Sequence, residues 1–460
     1  MSVPSQNMST PDEWRETMET IRAWLKERGI TEVEGLVPDI SGIARGKIIP
    51  ADKFCKDIGM HLPESIFSQT VTGDYAEEDV IQEAEHDMLV RPDEKTIRMV
   101  PWASEPTAQV IHDCYYQDGR PVDLAPRYVL QRVLELYAEQ GWKPIVAPEV
   151  EFFLVKVNTD PDYQLEPPIG RSGRPETVRQ SYSIDAVNEF DPLFEEMYDH
   201  CDVQGIEIDT LIHESGAAQM EVNFLHGEAL DLADQVFMFK RTVRETALRH
   251  KIYATFMAKP MANEPGSAMH IHQSVLDIKT GKNVFTDERG EPSPLFFQHI
   301  AGLQRYIPES MLLFAPYVNS YRRFQRYHAA PINVQWGYDN RTVGLRIPSS
   351  DAENRRVENR VGGADVNPYL ALAASLACGY LGMTQRLDPT APLGGDAYEL
   401  PYQLPRDIGS AIANLTGSAA ITGLFGERFV TVYKAIKERE YETFFRVISP
   451  WEREFLLLNV

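Results

Sequence analysis

The segment Ala147–Leu154 reads APEVEFFL and sets two carboxylates two residues apart inside an apolar run. Side chains alternate along a strand, so Glu149 and Glu151 share one face. Anions held side by side repel, and each resists leaving water. Two arrangements satisfy this segment. The strand lies at an exposed sheet edge with both acids solvated, or a divalent cation neutralises the pair inside the fold. Phe152, Phe153 and Leu154 follow directly and weigh against the solvated edge.

Two further segments offer ligands for such an ion. His213–Phe224, HESGAAQMEVNF, separates Glu214 from Glu221 by a turn at Gly216. Taken alone, Glu221 fits a polar strand end. Met269–Ser274, MHIHQS, places His270 and His272 on one face of a second strand, after the flexible Pro265-Gly266-Ser267. A site dominated by carboxylate oxygen suits hard cations, magnesium or manganese, and several carboxylates with an imidazole have the capacity for two ions.

The stretch Ser320–Pro348, SYRRFQRYHAAPINVQWGYDNRTVGLRIP, gathers five arginines and one acid. The whole chain carries 68 acidic against 45 basic residues, a net charge of −23, so this local excess of guanidinium points to an anionic ligand. The same acidity argues against nucleic-acid binding, which needs a basic footprint. Hard cations beside arginines match phosphoryl transfer, where charge must be neutralised from several sides. Gly42–Lys47 is one residue short of a phosphate-binding loop, and Gly281-Lys282-Asn283 reads as a hairpin turn. If ATP binds, arginines and metals hold it.

At 460 residues two domains are expected. Trp14, Met18, Ile21 and Leu25 recur at helical spacing after Thr10-Pro11-Asp12-Glu13, and Gly29 ends the run. Residues 31–101 read as short strands. A turn-rich break at Gln117–Pro121 precedes a helix over about Pro126–Gln140, which places a domain boundary near residue 120. Arg171–Pro175 reads as a surface loop. Val366–Gln385 carries no charge, but its Asn, Pro and small residues make it a buried helix rather than a membrane span. The four cysteines form no CxxC and suggest free thiols in a reducing compartment. With no signal-peptide layout at the N-terminus, the expected location is cytoplasmic.

The order of these motifs resembles the glutamine synthetase family, type I, from about Thr31 onward. The matching pieces are Asp39–Gly42 with Arg45-Gly46-Lys47, Ala147–Leu154, His213–Phe224, Lys259-Pro260 with Gly266–Ser274, Asn319–Arg323, Asn340-Arg341 through Arg346–Pro348, and Arg356–Arg360. After the amphipathic helix that periodicity places within residues 1–28, the resemblance implies an α+β fold: a β-grasp domain over 29–120 and a catalytic α/β domain with a curved antiparallel sheet over 121–460. It implies rings of subunits, usually dodecamers, with sites shared between neighbours and Asp39 lent to the next subunit's site. By motif, Glu151, Glu214 and Glu221 would hold one metal, and Glu149, His270 and Glu358 the other. Arg323 and Arg360 would clamp glutamate, with Gly266 in the glutamate loop. Arg341, Arg346 and Arg356 would face the phosphates, Arg341 in a catalytic role, and His272 and Ser274 would contact the nucleotide. The implied reaction phosphorylates the γ-carboxylate of glutamate with ATP, after which an amine displaces phosphate.

The chain departs from that pattern at one informative place. Ammonia-using members carry Tyr-Glu-Ala-Pro at a fixed distance from the arginine motif; here the segment is His328-Ala329-Ala330-Pro331. Ala329 replaces the glutamate that binds ammonium and closes the site. This resembles the γ-glutamylpolyamine branch and implies putrescine or a longer polyamine as acceptor. Alternatives are an ammonium-using glutamine synthetase, another acceptor such as ethanolamine, and a non-catalytic ring. Asp74–Asp87 holds seven acids and no Lys or Arg. It reads as a solvated loop, or as a face toward a polycation. Tyr398 lies in a segment resembling a loop that some bacterial relatives adenylylate. Arg322 and Arg326 read as surface or interface charge.

Overall fold

The computed structural model describes residues 11–56, 60–76 and 86–460. Thr10 and residues 77–85 of the acidic segment lie outside the described residues. The helix Pro11–Glu27 follows the expected periodicity, with Met18, Ile21 and Leu25 buried. They pack with Val33, Ile97, Ala108 and Val110 on one face of a six-stranded sheet.

That sheet runs Ala44–Pro50, Glu32–Pro38, Thr107–Tyr115, Asp87–Pro92, Met60–Pro63, with Arg98–Met99 also paired to Thr107–Tyr115. Glu32–Pro38 and Thr107–Tyr115 run parallel, and the remaining pairs are antiparallel. This is the expected β-grasp arrangement. At Gly46 a Cβ would fall 1.7 Å from the Gly35 carbonyl oxygen, so only glycine lets the first hairpin close. The opposite face supplies Leu36, Met88, Val90 and Ile111 to the main core, where they meet Val129 and Val133 of the helix Pro126–Glu139.

Arg127 fastens the small sheet to the rest. Its buried guanidinium donates to Asp93 (2.6 Å) and Asp113 (2.6 Å) from the small sheet's side. It also donates to both oxygens of Asp234 (3.0 and 2.9 Å) on the helix Ala229–Arg249. The Tyr369 hydroxyl donates to the same Asp234 (2.7 Å).

The second sheet has nine strands. Its main path is Trp336–Tyr338, Leu345–Ile347, Val357–Asn359, Met269–Asp277, Trp142–Lys156, Gln219–Phe224, Ile208–His213. Gly227–Glu228 and Ile252–Thr255 pair with Trp142–Lys156 as well. Only the first pair is parallel. The APEVEFFL strand is therefore central, which overturns the solvated-edge reading. Val150, Phe152, Val222 and Ile271 are buried on the back of the sheet, against helices that include Ala229–Arg249 and Pro368–Gln385.

The uncharged stretch forms the buried helix Pro368–Gln385, capped by Asn367, whose Oδ1 accepts from the Tyr369 and Leu370 amides. No single helix among the described residues is long and apolar enough to cross a membrane. This helix meets Pro294–Phe314 at backbone contact. A Cβ on Gly302 would lie 2.2 Å from Cys378 O and 2.6 Å from Gly382 N. Glycine here is a packing requirement. All four cysteines are free.

Candidate active site

Register brings the chemistry together on the front of the nine-stranded sheet. Arg346 pairs with Glu358, and Glu358 with His272. One row along, His270 pairs with Glu149 and Glu149 with Asn223. In the next row Glu151 pairs with Glu221. Directly paired residues on adjacent strands share a face, as do residues two apart on one strand. Period-two alternation on five strands thus gathers carboxylates, imidazoles and a guanidinium from distant parts of the chain. The reading of Glu221 as a polar strand end is corrected, because it is 6% exposed in the middle of this array.

Two cavities open on this face. The larger, about 710 Å³, is lined by Glu149, Glu151, Glu214, Glu221, His270 and Glu358 together with Arg323, Arg341, Arg346 and Arg360. Gly266 and Ala329 lie in its wall. The second, about 560 Å³, is lined by His272, Ser274, Asn354, Arg356 and the Phe224–Gly227 turn. Glu149 and Asn223 border both.

The Glu149 carboxylate is the meeting point. It accepts from His272 Nε2 (2.8 Å), His270 Nδ1 (3.2 Å) and Asn223 Nδ2 (3.0 Å). Burial opposes its ionisation, but the two imidazoles outweigh burial and hold the carboxyl well below its usual range. Burial alone would likewise raise Glu358; Arg360 and the two histidines bring it down to about 2. The remaining acids go the other way. Burial, with Glu214 adding, pushes Glu151 up to about 8. Glu214 is raised by burial, and Glu221 is raised far above the usual range by burial and by four neighbouring carboxylates. Carboxylates that resist ionisation side by side are short of positive charge, which is what a cation supplies.

The donor set fits hard cations. Ligand atoms of Glu149, Glu221 and His270 lie within 4.8 Å of one another, as do those of Glu149, His272 and Glu358. The grouping differs from the motif-based one, since His272 joins Glu149 and Glu358, while Glu151 and Glu214 line the cavity outside these two groups. The Asn223 Oδ1 is buried without a hydrogen-bond partner beside them.

The arginines divide by how they are held. Arg323, 3% exposed, donates to Val361 O (2.8 Å) and Arg360 O (3.0 Å), and burial pulls its pKa down to about 10. Arg360 pairs with Glu358 through Nη1 and leaves a buried Nε unpartnered. Arg346 bridges Glu358 (2.7 Å) and Asp339 (2.5 Å). Arg341 is exposed and, among the described residues, has no hydrogen-bond or ion-pair partner. Arg356 sits in the second cavity and donates to His272 Nδ1 (3.2 Å). Gly266 must lack a side chain, since a Cβ would meet Arg323 Cγ at 2.6 Å and Ala258 O at 2.7 Å.

Asp39 stands apart. It is 1% exposed and lines neither cavity of its own chain. Its carboxylate accepts from the Ser41 and Ile43 amides (2.9 and 2.8 Å) and from Arg45 Nε (2.8 Å). Arg326 is not a free surface charge, for it donates to Tyr398 O and to Leu400 O (3.2 Å). Tyr398 is buried in the cavity wall rather than displayed on an exposed loop. Sequence reading missed Gln219, which donates to Glu151 Oε2 and Gly266 O (both 3.0 Å) and so fixes the acid and the glycine loop together. Its signal was a polar residue opening the alternating stretch that ends at Phe224.

The family model for the glutamine synthetase catalytic domain matches residues 123–456. The chain belongs to the glutamine synthetase family. The match begins just after the break at Gln117–Pro121. Among relatives, the gamma-glutamylputrescine synthetase PuuA of Escherichia coli K12 is 36% identical over 440 residues, covering 93% of this chain and 92% of the relative. A glutamate–isopropylamine ligase of a Pseudomonas species is 30% identical over 449 residues, covering 94% and 96%. The solved structure of apo GmaS without ligand superposes with a TM-score of 0.82 at 27% identity, covering 95% of this chain and 99% of that one. The chain is thus a glutamine synthetase-family ligase, and relatives with this fold are named for different amines.

Proposed function

We propose that this enzyme joins the γ-carboxylate of glutamate to a primary amine, putrescine or a longer polyamine, at the expense of ATP. The observation that carries the choice of amine is Ala329 in the wall of the larger cavity, where ammonia-using members of the family carry a glutamate. A methyl group there leaves room beside the reaction centre and removes the charge that would hold ammonium. The similarity to gamma-glutamylputrescine synthetase supports the same reading.

Glutamate would occupy the larger cavity, its α-carboxylate on Arg360 and Arg323. ATP would occupy the second cavity against Arg356, His272 and Ser274. Its phosphates would reach Glu149, the border of the two. Magnesium or manganese, held by Glu149, Glu221 and His270 and by Glu149, His272 and Glu358, with Glu151 and Glu214 close by, would neutralise charge on the transferred phosphoryl group. A γ-carboxylate oxygen attacks the γ-phosphorus and ADP leaves. The amine nitrogen, as the neutral free base, then attacks the carbonyl carbon of the γ-glutamyl phosphate; the acyl C–O bond breaks, phosphate leaves, and the nitrogen gives up a proton to phosphate or solvent as the amide forms. Arg341, which has no hydrogen-bond partner among the described residues, would offset charge on the phosphoryl oxygens through bidentate hydrogen bonds, and Arg346 would add positive charge beside it.

Asp39 would complete a neighbouring subunit's site in a ring. Two exposed features support assembly. The edge strand Ala44–Pro50 presents Ile48, and the C-terminal segment presents Trp451, Phe455, Leu457 and Leu458 to solvent.

Phosphate release with ATP, magnesium and glutamate, measured against ammonium, putrescine, spermidine, spermine and ethanolamine, tests the proposal. Turnover is expected with putrescine or the longer polyamines and little with ammonium. Equal or faster turnover with ammonium would overturn it.

A further inference from the structure

A diamine brings a difficulty that ammonium does not. One nitrogen must lose its proton to react, while the other stays an ammonium ion at neutral pH. The larger cavity already holds Arg323, Arg341, Arg346 and Arg360, which repel that second charge. A diamine therefore needs a carboxylate on the cavity wall other than the acids committed to cations.

One carboxylate of the larger cavity meets this condition. Asp396 lines it, exposed, on the same wall as Ala329, Tyr327 and Tyr398. It sits at the head of the short turn Ala397–Glu399, where its Oδ1 accepts from the Tyr398 amide (2.8 Å) and Oδ2 has no hydrogen-bond partner among the described residues. The Tyr327 and Tyr398 rings lie 5.3 Å apart at 53° and form an aromatic surface between Ala329 and the turn. The Tyr327 hydroxyl donates to Glu399 (2.7 Å), so that carboxylate is already engaged.

The wall is rigidly fixed. Asn340 donates to Gly395 O (2.8 Å), Asn333 to Ala397 O (2.8 Å), and the Ala397 amide to Thr342 Oγ1 (2.9 Å). Arg326 holds the Tyr398 and Leu400 carbonyls from the other side. A buried Arg360 Nε without a partner marks the inner end of the same cavity as the seat of an anion. The inner end of the cavity thus mixes four arginines with the five glutamates, while Asp396 stands beside the aromatic surface of Tyr327 and Tyr398.

We infer that Asp396 is the specificity-determining residue that holds the distal ammonium of a diamine, with Tyr327 and Tyr398 covering its methylene chain. The inference rests on the proposed polyamine reading and names the residue that enforces it. A positive charge against a ring face adds to the carboxylate's attraction.

The experiment compares putrescine with n-butylamine, which has the same chain and no second charge. Asp396→Asn and Asp396→Ser remove the charge while keeping an oxygen to cap the Tyr398 amide, and thermal unfolding confirms that each variant folds. The ratio of kcat/KM for putrescine to that for n-butylamine should fall at least tenfold in both, with the change carried by KM for putrescine. An unchanged ratio overturns the inference. So does a fall seen only with Glu399→Gln, which would move the distal charge to Glu399. If the wild-type enzyme prefers ammonium to putrescine, the polyamine reading itself fails. A wild type that prefers putrescine, with variants that keep the preference, sinks the Asp396 assignment alone.

Discussion

His112 shows how burial sets the behaviour of one side chain. It lies in the strand Thr107–Tyr115, fully enclosed, with Nδ1 3.1 Å from Val110 O and Nε2 without a partner. Burial lowers its pKa from the usual 6.5 to about 4. The unfolded chain therefore takes up a proton that the folded chain refuses. Stability contributed by the neutral ring is complete above pH 6.5 and is lost as pH falls through about 4. Over that window the loss amounts to roughly 3 kcal/mol. In His112→Asn the amide stands in for the ring N–H and has no proton to gain. Urea midpoints at pH 7 and pH 4.5 should fall less in the variant than in the wild type; an equal fall would mean that His112 does not titrate as described.

At the scale of elements, the helices Pro294–Phe314 and Pro368–Gln385 cross at backbone contact. A methyl at Gly302 has nowhere to go, because carbonyl and amide groups of the partner helix stand where it would be. Gly302→Ala should destabilise by about 3 kcal/mol through forced separation of the helices. Gly423, in the helix Ala419–Phe425, has nothing within 4 Å of an added Cβ. Gly423→Ala should therefore be neutral or stabilising by up to about 1 kcal/mol. Denaturant melts of the two variants, side by side, separate packing from helix propensity. Elements of this kind were partly legible in the sequence. The helix periodicity of Trp14–Leu25, the uncharged helix and the alternation in APEVEFFL and MHIHQS each follow from a repeat visible in a short window. What no window contains is register. That His270 faces Glu149, that Glu358 meets His272 and that Arg346 reaches both Glu358 and Asp339 depends on which strands lie side by side. Arg326 does lie at the surface, as its sequence suggests, but nothing local shows that its donors reach the carbonyls of the Tyr398 turn.

For the whole molecule, the two sheets hold together through charge as well as through apolar contact. Arg127 is the hub, with Asp93 and Asp113 on one side and Asp234 on the other. Replacing it by methionine keeps most of the volume and strands three carboxylates around an apolar chain. Breaking a buried pair in this way costs about 3–5 kcal/mol. Arg127→Met should lower the thermal midpoint markedly at neutral pH. An unchanged midpoint would show that the apolar contact between the sheets suffices. At this same scale the border position of Glu149 has an effect that reaches beyond ligand geometry. One carboxylate faces both chambers, so filling either one changes the field felt in the other. Free-energy linkage then runs both ways: any factor by which nucleotide alters the affinity for glutamate is the factor by which glutamate alters the affinity for nucleotide. With nucleotide in one chamber and glutamate in the other, as proposed, occupancy would be a joint property, and an ATP dissociation constant would have meaning only together with the glutamate concentration at which it was measured.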